Sequence, residues 1–490
     1  MTDVLVTAVP AAPLLGALAV RLPRTPRGAD RVSYISACLT AALALAASML
    51  GALHDPAGIR GSWFVLDRAG AAFLAVIAVI GWLSASASGA YLAHAGKGLF
   101  TARGARAWYH TAFHLFWAAL LALALVDNLG VAWLAIEATT GASALLVAYT
   151  GRRNALEAGW KYLVLTTFGL AVALLGIFIL FVAIAPHGGA LSTLDWQTIA
   201  RRAHVLPHET AVFALVLILA GLAAKIGWAP VHNWLPDAHS EAPPPISALL
   251  SAALLPTVIL IVWRLVLTLG LAIPHRLADH LVLAFGLLSL AVAVPFLWRP
   301  MPWKRLLAYS SLEHMGILAL GVAFATPLAT LGVIIHIAGH ALAKSLGFYA
   351  AIPIQRHYPH STEQPSRGLA RLSRPVGAAA AISLATLSGL PPSPLFLSEL
   401  LILLGGVAAH QVAAVAIATV LLALGFLGLA HALIETLAGE SRGPRWPAGR
   451  TVRLTRRLTI VTASGLLAVT IGGFALVAAN AGAGLMGGLA

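Results

Sequence analysis

The sequence predicts an all-α polytopic membrane protein. Of its 490 residues, 60% are hydrophobic and 10% are charged, whereas an ordinary soluble domain carries about 25% charged residues. Apolar runs of the length that crosses a bilayer, about 20 residues, recur along the whole chain. We count about fourteen of them. No polar segment between them is long enough to fold as a soluble domain, so we expect one membrane domain over residues 1–490.

The predicted spans follow one another with short loops between them. The first apolar run has no basic region before it and no convincing cleavage site, so we interpret it as a span rather than as a removed signal peptide. Prolines interrupt the seventh and the twelfth spans. In chain order the spans are Val4–Val20, Val32–Leu53, Ala69–Leu92, Thr111–Val126, Leu129–Tyr149, Leu156–Ile184, Thr210–Lys225, Ile246–Leu269, Leu281–Trp298, Leu306–Ala325, Leu328–Ile352, Val376–Leu404, Val412–Leu433 and Leu458–Ala479.

The net charge of +14 reflects membrane topology rather than nucleic-acid binding. When the loops are numbered by the spans they join, the odd loops carry 22 Lys and Arg residues and the even loops carry 6. This positive-inside bias places both termini on the non-cytoplasmic side of a cell membrane. The basic stretch Arg442–Arg457 is interpreted as an orientation anchor, with a docking site for a partner or anionic lipid as the alternative. Cys38 is the only cysteine, so this chain's thiolates alone cannot hold an iron–sulfur cluster.

The first break reads KIGWAPVHNWLPDAHSEAPPPISALLS and covers residues 225–251. Its prolines free backbone groups that lipid cannot satisfy, so a break at membrane depth must face protein or water. A broken helix that carries an ionisable group is typical of a transport site. We interpret Asp237, His239 and Glu241 as a solvated turn rather than as the mouth of a path.

Five ionisable residues fall within the predicted spans. Of the 31 Lys and Arg residues, 28 are placed in loops. The remaining three basic residues are Lys161, Lys225 and Lys344. Two acids, Glu137 and Glu399, also lie within the predicted spans. A charge at bilayer depth costs about 3 kcal/mol, so these residues either form ion pairs between helices or serve transport, and we favour transport. A buried lysine can release its proton near neutral pH, whereas arginine stays charged. We expect Glu137 to pair with Lys225.

The eleventh span contains HIAGHALAKSLGFYAA, in which His336, His340 and Lys344 recur every four residues and share one helical face. Neutral imidazoles pass protons near neutral pH, so this face is a candidate proton path. One alternative is that the histidines only bond neighbouring helices. Another is a metal site, because histidines at i and i+4 have a metal-ligand spacing. No third ligand of matching spacing is evident and the lysine would repel a cation, so we predict no metal and no cofactor.

The tenth span begins with KRLLAYSSLEHMGILAL, which contains a polar cluster of Ser310, Ser311, Glu313 and His314. Two interpretations stay open: the cluster admits water and protons, or it hydrogen-bonds the start of the helix near the headgroups. Glu313 and His314 are therefore secondary candidates for the proton path.

The two breaks lie at comparable places in the two halves, which favours an internal duplication. We predict two inverted five-helix repeats, each with a broken helix, over residues 109–269 and 280–437. The first three spans (1–108) flank them, and 438–490 form the last loop and span.

The sequence resembles the antiporter-like membrane subunits shared by respiratory complex I, multisubunit Na⁺/H⁺ antiporters and energy-converting hydrogenases. The motifs that carry the resemblance are the 225–251 stretch, KRLLAYSSLEHMG, HIAGHALAKSLGF and GLPPSPLFLSE. The segments WLPDAHSEAP and EAGWKYLVL are most similar to the membrane subunit of hydrogenase-4 and formate-hydrogenlyase-type complexes. The resemblance covers spans four to twelve, and several motifs occur in the same order.

The resemblance implies a role for individual residues. The implied relay consists of Glu137 on the fifth span, Lys225 on the broken seventh, His336, His340 and Lys344 in the centre, Glu399 on the broken twelfth and, less securely matched, Lys161 on the sixth. The sequence departs from many relatives at the start of the eighth span, where Leu250 and Ser251 stand in place of a histidine or lysine. Water or Ser251 would have to bridge the path there.

We therefore predict a proton-translocating membrane subunit of a redox-driven complex, either an energy-converting hydrogenase or a complex I-like assembly. Its partners would be other membrane subunits, soluble nickel–iron and iron–sulfur subunits, lipid, and protons or Na⁺, but not nucleic acid. Alternatives are a cation/proton antiporter subunit, the membrane subunit of an inorganic-carbon uptake system, and a non-conducting scaffold. No nucleophile–base pair or phosphate loop is evident, so no catalysis is expected from this chain alone.

Overall fold

A computed structural model describes residues 2–54, 58–93, 104–185, 190–273, 276–358, 362–441 and 444–482. These residues form two compact units, Met1–Leu281 and Val282–Ala490. Three of the basic loop residues that were counted for the charge bias, Lys97, Arg103 and Arg442, lie outside the described residues.

The first unit consists of helices with one short β-ribbon. Its helices are α1 (Thr2–Ala19), α2 (Pro26–Leu53), α3 (Arg68–Leu92), α4 (Ala105–Leu125), α5 (Leu129–Val147), α6 (Arg153–Ile184), α7 (Trp196–Arg202), α8 (His208–Ile226), α9 (Trp234–Glu241), α10 (Pro244–Leu249) and α11 (Leu255–Leu269). The ribbon pairs β1 (Ile59–Arg60) with β2 (Val65–Leu66) in antiparallel register, with Ile59 opposite Leu66. Short 3₁₀ turns cover Ala148–Thr150, Leu191–Leu194, Ala203–Val205 and Gly270–Ala272.

The second unit begins in the first turns of α12, and its described residues form helices joined by loops, without a β-strand. Its helices are α12 (Leu277–Leu297), α13 (Trp303–Phe324), α14 (Pro327–His357), α15 (Leu369–Leu372), α16 (Arg374–Leu387), α17 (Pro394–Ala408), α18 (Val412–Ala438) and α19 (Arg450–Gly482). Helix α13 is buried along its whole length, so it forms the core of this unit.

Thirteen helical segments of the described chain are long and apolar enough to cross a membrane. Helices α16 and α17 are apolar but individually shorter, and they are the two arms of the predicted twelfth span. The structure confirms the prediction of an all-helical polytopic membrane protein.

Polar residues at helix starts explain several of the boundaries. A side-chain oxygen at the N-cap accepts a hydrogen bond from a backbone N–H of the first turn, which would otherwise lack a partner. Caps of this kind precede α2, α3, α5, α14 and α17, at Thr25, Asp67, Asn128, Thr326 and Ser393.

The six basic residues counted for the even loops include Arg264, and the structure corrects this count, because Arg264 lies within a helix. It is 7% exposed within α11, where its guanidinium lies 3.3 Å from an Asp67 carboxylate oxygen and 3.2 Å from the Val126 carbonyl oxygen. A nearby pair joins Arg60 to Asp127 at 2.7 Å. Burial raises the pKa of the Asp127 carboxyl, and the Arg60 guanidinium partly opposes this rise. These pairs hold the loop ends of the first unit together.

Each unit contains one interrupted helix. Helix α8 ends at Gly227, which has a φ of +77°, and α16 is followed by Gly389, which has a φ of +70°. This left-handed conformation costs a non-glycine residue about 1–2 kcal/mol, so both positions suit glycine. Trp234 Nε1 donates to the Ala224 carbonyl at 2.7 Å, which satisfies one of the carbonyls that the end of α8 leaves free.

Candidate functional site

Lys225 lies in the last turn of α8, next to the break, and its side chain is fully buried. Its Nζ donates to Thr140 Oγ1 of α5 at 2.7 Å and to Tyr162 Oη of α6 at 2.6 Å. A cation at this end of a helix is also favoured by the helix dipole. The lysine therefore bridges three helices through hydroxyl groups.

The hydroxyl groups around Lys225 have defined directions. Ser143 Oγ donates to the Thr139 carbonyl at 2.6 Å, so it accepts a hydrogen bond from Tyr162 Oη at 2.8 Å. In this arrangement Tyr162 Oη donates a hydrogen bond to Ser143 Oγ and accepts one from Lys225 Nζ. A neutral amine has two N–H groups, and both find an acceptor in this site. The third N–H of an ammonium group finds none among the described contacts of Lys225.

Glu137 lies one turn before Thr140 on α5 and is half-buried. Its Oε1 accepts from Thr167 Oγ1 at 2.9 Å, and its Oε2 is buried with no hydrogen-bond partner among the described residues. The predicted ion pair between Glu137 and Lys225 does not form in the described structure, because Thr140 and Tyr162 occupy the amine instead. The acid and the lysine share one site without direct contact.

Lys161 differs from the other two lysines because 45% of its side chain is exposed. It lies 2.7 Å from a Glu157 carboxylate oxygen and 3.3 Å from an Asp237 carboxylate oxygen on α9. Arg152 forms a second pair with α9, at 3.2 Å from Glu241. These pairs give Lys161 a role in positioning α9.

The segment with Asp237, His239 and Glu241, which was predicted as a solvated turn, forms the helix α9. His239 is fully buried within it, and its Nδ1 lies 3.0 Å from the Leu235 carbonyl oxygen. The sequence interpretation was wrong here because it weighed the prolines and acids of the segment above its buried residues.

Ser251 is fully buried in a π-helical turn, Leu250–Leu254, between α10 and α11. The Leu255 N–H donates to the Leu250 carbonyl, five residues back. Pro256 accounts for this turn, because it has no N–H for an α-helical bond and its ring crowds the carbonyl four residues before it. Turns of this kind are frequent at functional sites, and this one lies where the sequence departs from many relatives.

Lys344 is the buried lysine of the second unit. Its Nζ donates to the Leu307 carbonyl at 2.5 Å and to Ser310 Oγ, both on α13. Like Lys225, it has two acceptors for two N–H groups. It forms no ion pair within the described part of the chain.

Glu313 lies one turn beyond Ser310 on α13 and is 3% exposed. One of its carboxylate oxygens packs against Gly425 of α18, and Oε2 has no hydrogen-bond partner among the described residues. The polar cluster of this helix is thus enclosed in the protein, some two turns or more from the start of α13 at Trp303.

A chain of polar side chains connects α13, α14 and α17. His314 Nδ1 lies 3.2 Å from His336 Nε2, and His336 Nδ1 lies 2.9 Å from Ser398 Oγ. The ring centroid of His340 lies 5.0 Å from that of His314 and 6.2 Å from that of His336. The predicted face of His336, His340 and Lys344 is buried along its length.

Glu399 follows Ser398 in the second turn of α17 and is half-buried. One oxygen of its carboxylate and one nitrogen from each of His314 and His336 lie within 4.8 Å of one another. A Cβ atom at Gly389 would lie 2.7 Å from Glu399 Oε2, so the glycine leaves the space that the carboxylate fills.

The neutral hydrogen-bond partners of the lysine and histidine sites were not predicted from the sequence. They are Thr140, Ser143, Tyr162, Leu307 and Ser398. One signal was available for some of them. Thr140 is one turn from Glu137, and Ser398 precedes Glu399. Tyr162 gave no such signal, because its contact with Lys225 depends on how α6 packs against α8.

Known proteins share the sequence pattern and the fold of this chain. A family model described as "NADH:quinone oxidoreductase/Mrp antiporter, TM" matches residues 126–425. The chain belongs to this family. The matched segment contains all ten residues proposed for the relay, from Glu137 to Glu399, so both lysine sites lie inside the family domain.

Individual relatives agree with this membership. The hydrogenase-4 component F homolog of Methylacidiphilum infernorum is 33% identical over 391 residues, which are 79% of this chain and 81% of the relative. A chain of the archaeal membrane-bound sulfane sulfur reductase superposes with a TM-score of 0.82 at 20% identity, over 96% of this chain and 95% of that one. A chain of the Mrp complex from Dietzia sp. DQ12-45-1b gives 0.78 at 20% identity, over 97% and 96%. At this identity the two structures show the fold.

These findings confirm the resemblance that the motifs predicted. The protein is an antiporter-like, multi-pass membrane subunit of the type found in complex I, Mrp and hydrogenase-type complexes. Its homologues are subunits of assemblies with several different chains.

Proposed function

We propose that this subunit of the NADH:quinone oxidoreductase/Mrp antiporter family translocates protons within a redox-driven complex. The observation that carries the proposal is the bonding of the two buried lysines. Lys225 and Lys344 are both fully buried, and among the described residues each has two hydrogen-bond acceptors and no carboxylate within ion-pair distance. Such an amine is stable when neutral and gains a proton only when nearby charge changes.

Nearby carboxylates supply that charge in the proposed mechanism. Opposite charges about 4 Å apart interact by about 4 kcal/mol at an effective dielectric constant of 20. Movement of the free Glu137 oxygen toward Lys225 would therefore load the lysine with a proton, and its withdrawal would release the proton. Glu313 would act in the same way on Lys344.

The proposed path runs through both units. Protons arrive from the cytoplasmic side at Lys225, pass by water or Ser251 to Lys344, and leave through the imidazoles and Glu399. We propose that both termini lie on the non-cytoplasmic side, in agreement with the charge bias of the loops. The two repeats of residues 109–269 and 280–437 belong to the same proposal.

The specific complex is proposed from the name of a relative that is 33% identical over 79% of the chain. Its name, hydrogenase-4 component F homolog, supports an energy-converting hydrogenase with nickel–iron and iron–sulfur partner subunits. Purification under mild detergent, followed by identification of co-purifying chains and metals, tests this assignment. Nickel–iron and iron–sulfur subunits would support it, whereas antiporter subunits alone or a soluble zinc protein would contradict it.

Proton translocation itself is tested in the reconstituted complex. We expect Lys225→Ala and Lys344→Ala each to abolish coupled proton translocation while the complex still assembles. Lys161→Ala is the matched control, because that lysine is exposed and ion-paired. Full translocation in both buried-lysine variants would refute the proposal.

A second candidate is exchange of Na⁺ for protons, which the structural similarity to an Mrp complex chain favours. Translocation measured with and without Na⁺ separates the two. A rate that does not depend on Na⁺ supports the proton path and excludes the exchange.

A further inference from the structure

We propose that His314, His336 and Glu399 form a binding site for a divalent transition-metal ion, of which Zn²⁺ fits best. The three side chains come from three different helices, α13, α14 and α17. One potential ligand atom from each lies within 4.8 Å of the other two. This site goes beyond the proposed proton path and shares residues with it, so an ion bound there would close the proposed proton exit.

The hydrogen bonds of the two imidazoles allow both of their facing nitrogens to bind a cation. Ser398 Oγ has an acceptor in the Leu395 carbonyl at 2.8 Å, which leaves its lone pair to accept from His336 Nδ1–H at 2.9 Å. The neutral ring of His336 then carries a lone pair on Nε2, which faces His314 Nδ1 at 3.2 Å.

His314 cannot satisfy both of its nitrogens in this arrangement. If its Nδ1 carries the proton, the lone pair on its Nε2 is buried with no donor among the described residues. If its Nε2 carries the proton, two lone pairs face each other at 3.2 Å. A buried polar atom without a partner costs about 1–3 kcal/mol. A metal ion between the two nitrogens removes the second conflict, because it accepts both lone pairs.

The distance between the two imidazole nitrogens agrees with zinc coordination. Zn–N bonds are about 2.0–2.1 Å long and structural zinc is tetrahedral, which sets two nitrogen ligands about 3.3–3.4 Å apart. The observed 3.2 Å between His314 Nδ1 and His336 Nε2 is close to this value. Two histidines and one glutamate also form a known zinc ligand set with an open fourth position.

The surroundings of the site hold its ligands in place. A metal-binding histidine almost always donates its second ring N–H to another group, and Ser398 provides this acceptor for His336. Gly389 leaves room for the Glu399 carboxylate. The Glu399 carboxylate is half-buried beside the break between α16 and α17.

The proposed ligand set differs from the one that the sequence suggested. The spacing of His336 and His340 indicated a metal pair without a third ligand, and the structure selects His314 and Glu399 as the partners of His336 instead. Lys344, which was expected to repel a cation, directs its amine to Leu307 and Ser310. Ser310 lies one full turn from His314 along α13, and Leu307 lies about two turns away.

Zinc binding is measured on the complex that contains the full chain. The complex is treated with a chelator, desalted and titrated with Zn²⁺ alone, and the bound zinc is counted per chain. We expect the wild type to bind one zinc more than Glu399→Gln and His314→Gln. Ser398→Ala should weaken the affinity about tenfold, as loss of an outer partner of a metal ligand does. Co²⁺ should give a tetrahedral visible absorption band in the wild type and not in Glu399→Gln.

His340→Gln is the matched control, because this buried imidazole adjoins the site and is not one of its ligands. It should keep the extra zinc. Thermal stability and subunit composition of every variant show whether the fold is intact. Equal zinc content and equal cobalt spectra in the wild type and intact Glu399→Gln would overturn the site, and so would loss of the metal in intact His340→Gln but not in intact Glu399→Gln. Neither readout depends on proton translocation.

Discussion

The lysine site of the first unit and that of the second unit use different chemistry around the same kind of amine. Lys225 is bonded by the hydroxyls of Thr140 and Tyr162, and the chain continues to Ser143. Lys344 is bonded by Ser310 and a backbone carbonyl, and the helices around it carry three buried histidines. Both amines are bonded by neutral oxygens, and the second site differs from the first by the buried imidazoles beside it.

In the proposed mechanism, this difference gives the two lysine sites different roles in proton transfer. A neutral hydroxyl group donates its proton only when it receives another. In the proposed mechanism, the hydroxyls of the first site therefore direct a single proton transfer at Lys225. In the same mechanism, the buried imidazoles of the second site pass a proton between Lys344 and Glu399 through their hydrogen bonds. The breaks differ accordingly, because Lys225 precedes its break at the end of α8 whereas Glu399 follows its break at the start of α17.

Removal of the Tyr162 hydroxyl should break the first site most strongly. Tyr162→Phe leaves one Lys225 N–H without an acceptor and ends the chain to Ser143. An unpaired buried group costs about 1–3 kcal/mol, so we expect proton translocation to fall about tenfold to a hundredfold. The rate is measured in proteoliposomes that contain the complex.

Tyr149→Phe serves as its control, because the Tyr149 hydroxyl bonds only a backbone carbonyl, that of Ala105 at 3.4 Å. It should keep at least half of the wild-type rate. Equal rates in the two variants would show that the hydroxyl chain is not part of the path.

Gly389→Ala should disturb the second site through Glu399. The added Cβ would meet the carboxylate, and the left-handed backbone costs alanine about 1–2 kcal/mol. We expect a lower Tm and a several-fold lower rate. Gly141→Ala on α5 is the comparison, since a Cβ there meets nothing within 4 Å. If both variants lower the rate equally, the glycine does not act through Glu399.

Lys161→Ala should have the smallest effect. Its ion pairs are exposed, and such pairs contribute about 0–1 kcal/mol. We expect the rate to change by about twofold or less, with a small loss of thermal stability because α9 loses one contact. A loss as large as that of a buried-lysine variant would place Lys161 in the proton path itself.

Hydropathy and motif order were enough to predict the helical spans, the two breaks and the family. The positions of the buried charges followed from elimination, because Lys225 and Lys344 had no loop to occupy. Sequence also placed His336, His340 and Lys344 on one helical face, since helical periodicity fixes which residues of one helix lie together.

Contacts between helices could not be derived in the same way. The pairing of Lys225 with Glu137 was a guess about packing, and the structure puts Thr140 and Tyr162 at the amine instead. The meeting of His314 with Glu399 needs α13 and α17 to come together around α14, which no local pattern encodes. Arg264 was counted with the loops although it lies within the predicted span Ile246–Leu269, and its contact with Asp67 could not be derived from the sequence.

The central claim is that Lys225 and Lys344 each take up and release a proton. Arginine keeps the positive charge and the approximate length of lysine but stays protonated. We would measure proton translocation by the reconstituted complex carrying Lys225→Arg, Lys344→Arg or, as the exposed control, Lys161→Arg. We expect the first two to lose translocation while the complex assembles, and the third to retain it. Normal translocation with arginine at both buried positions would contradict the account.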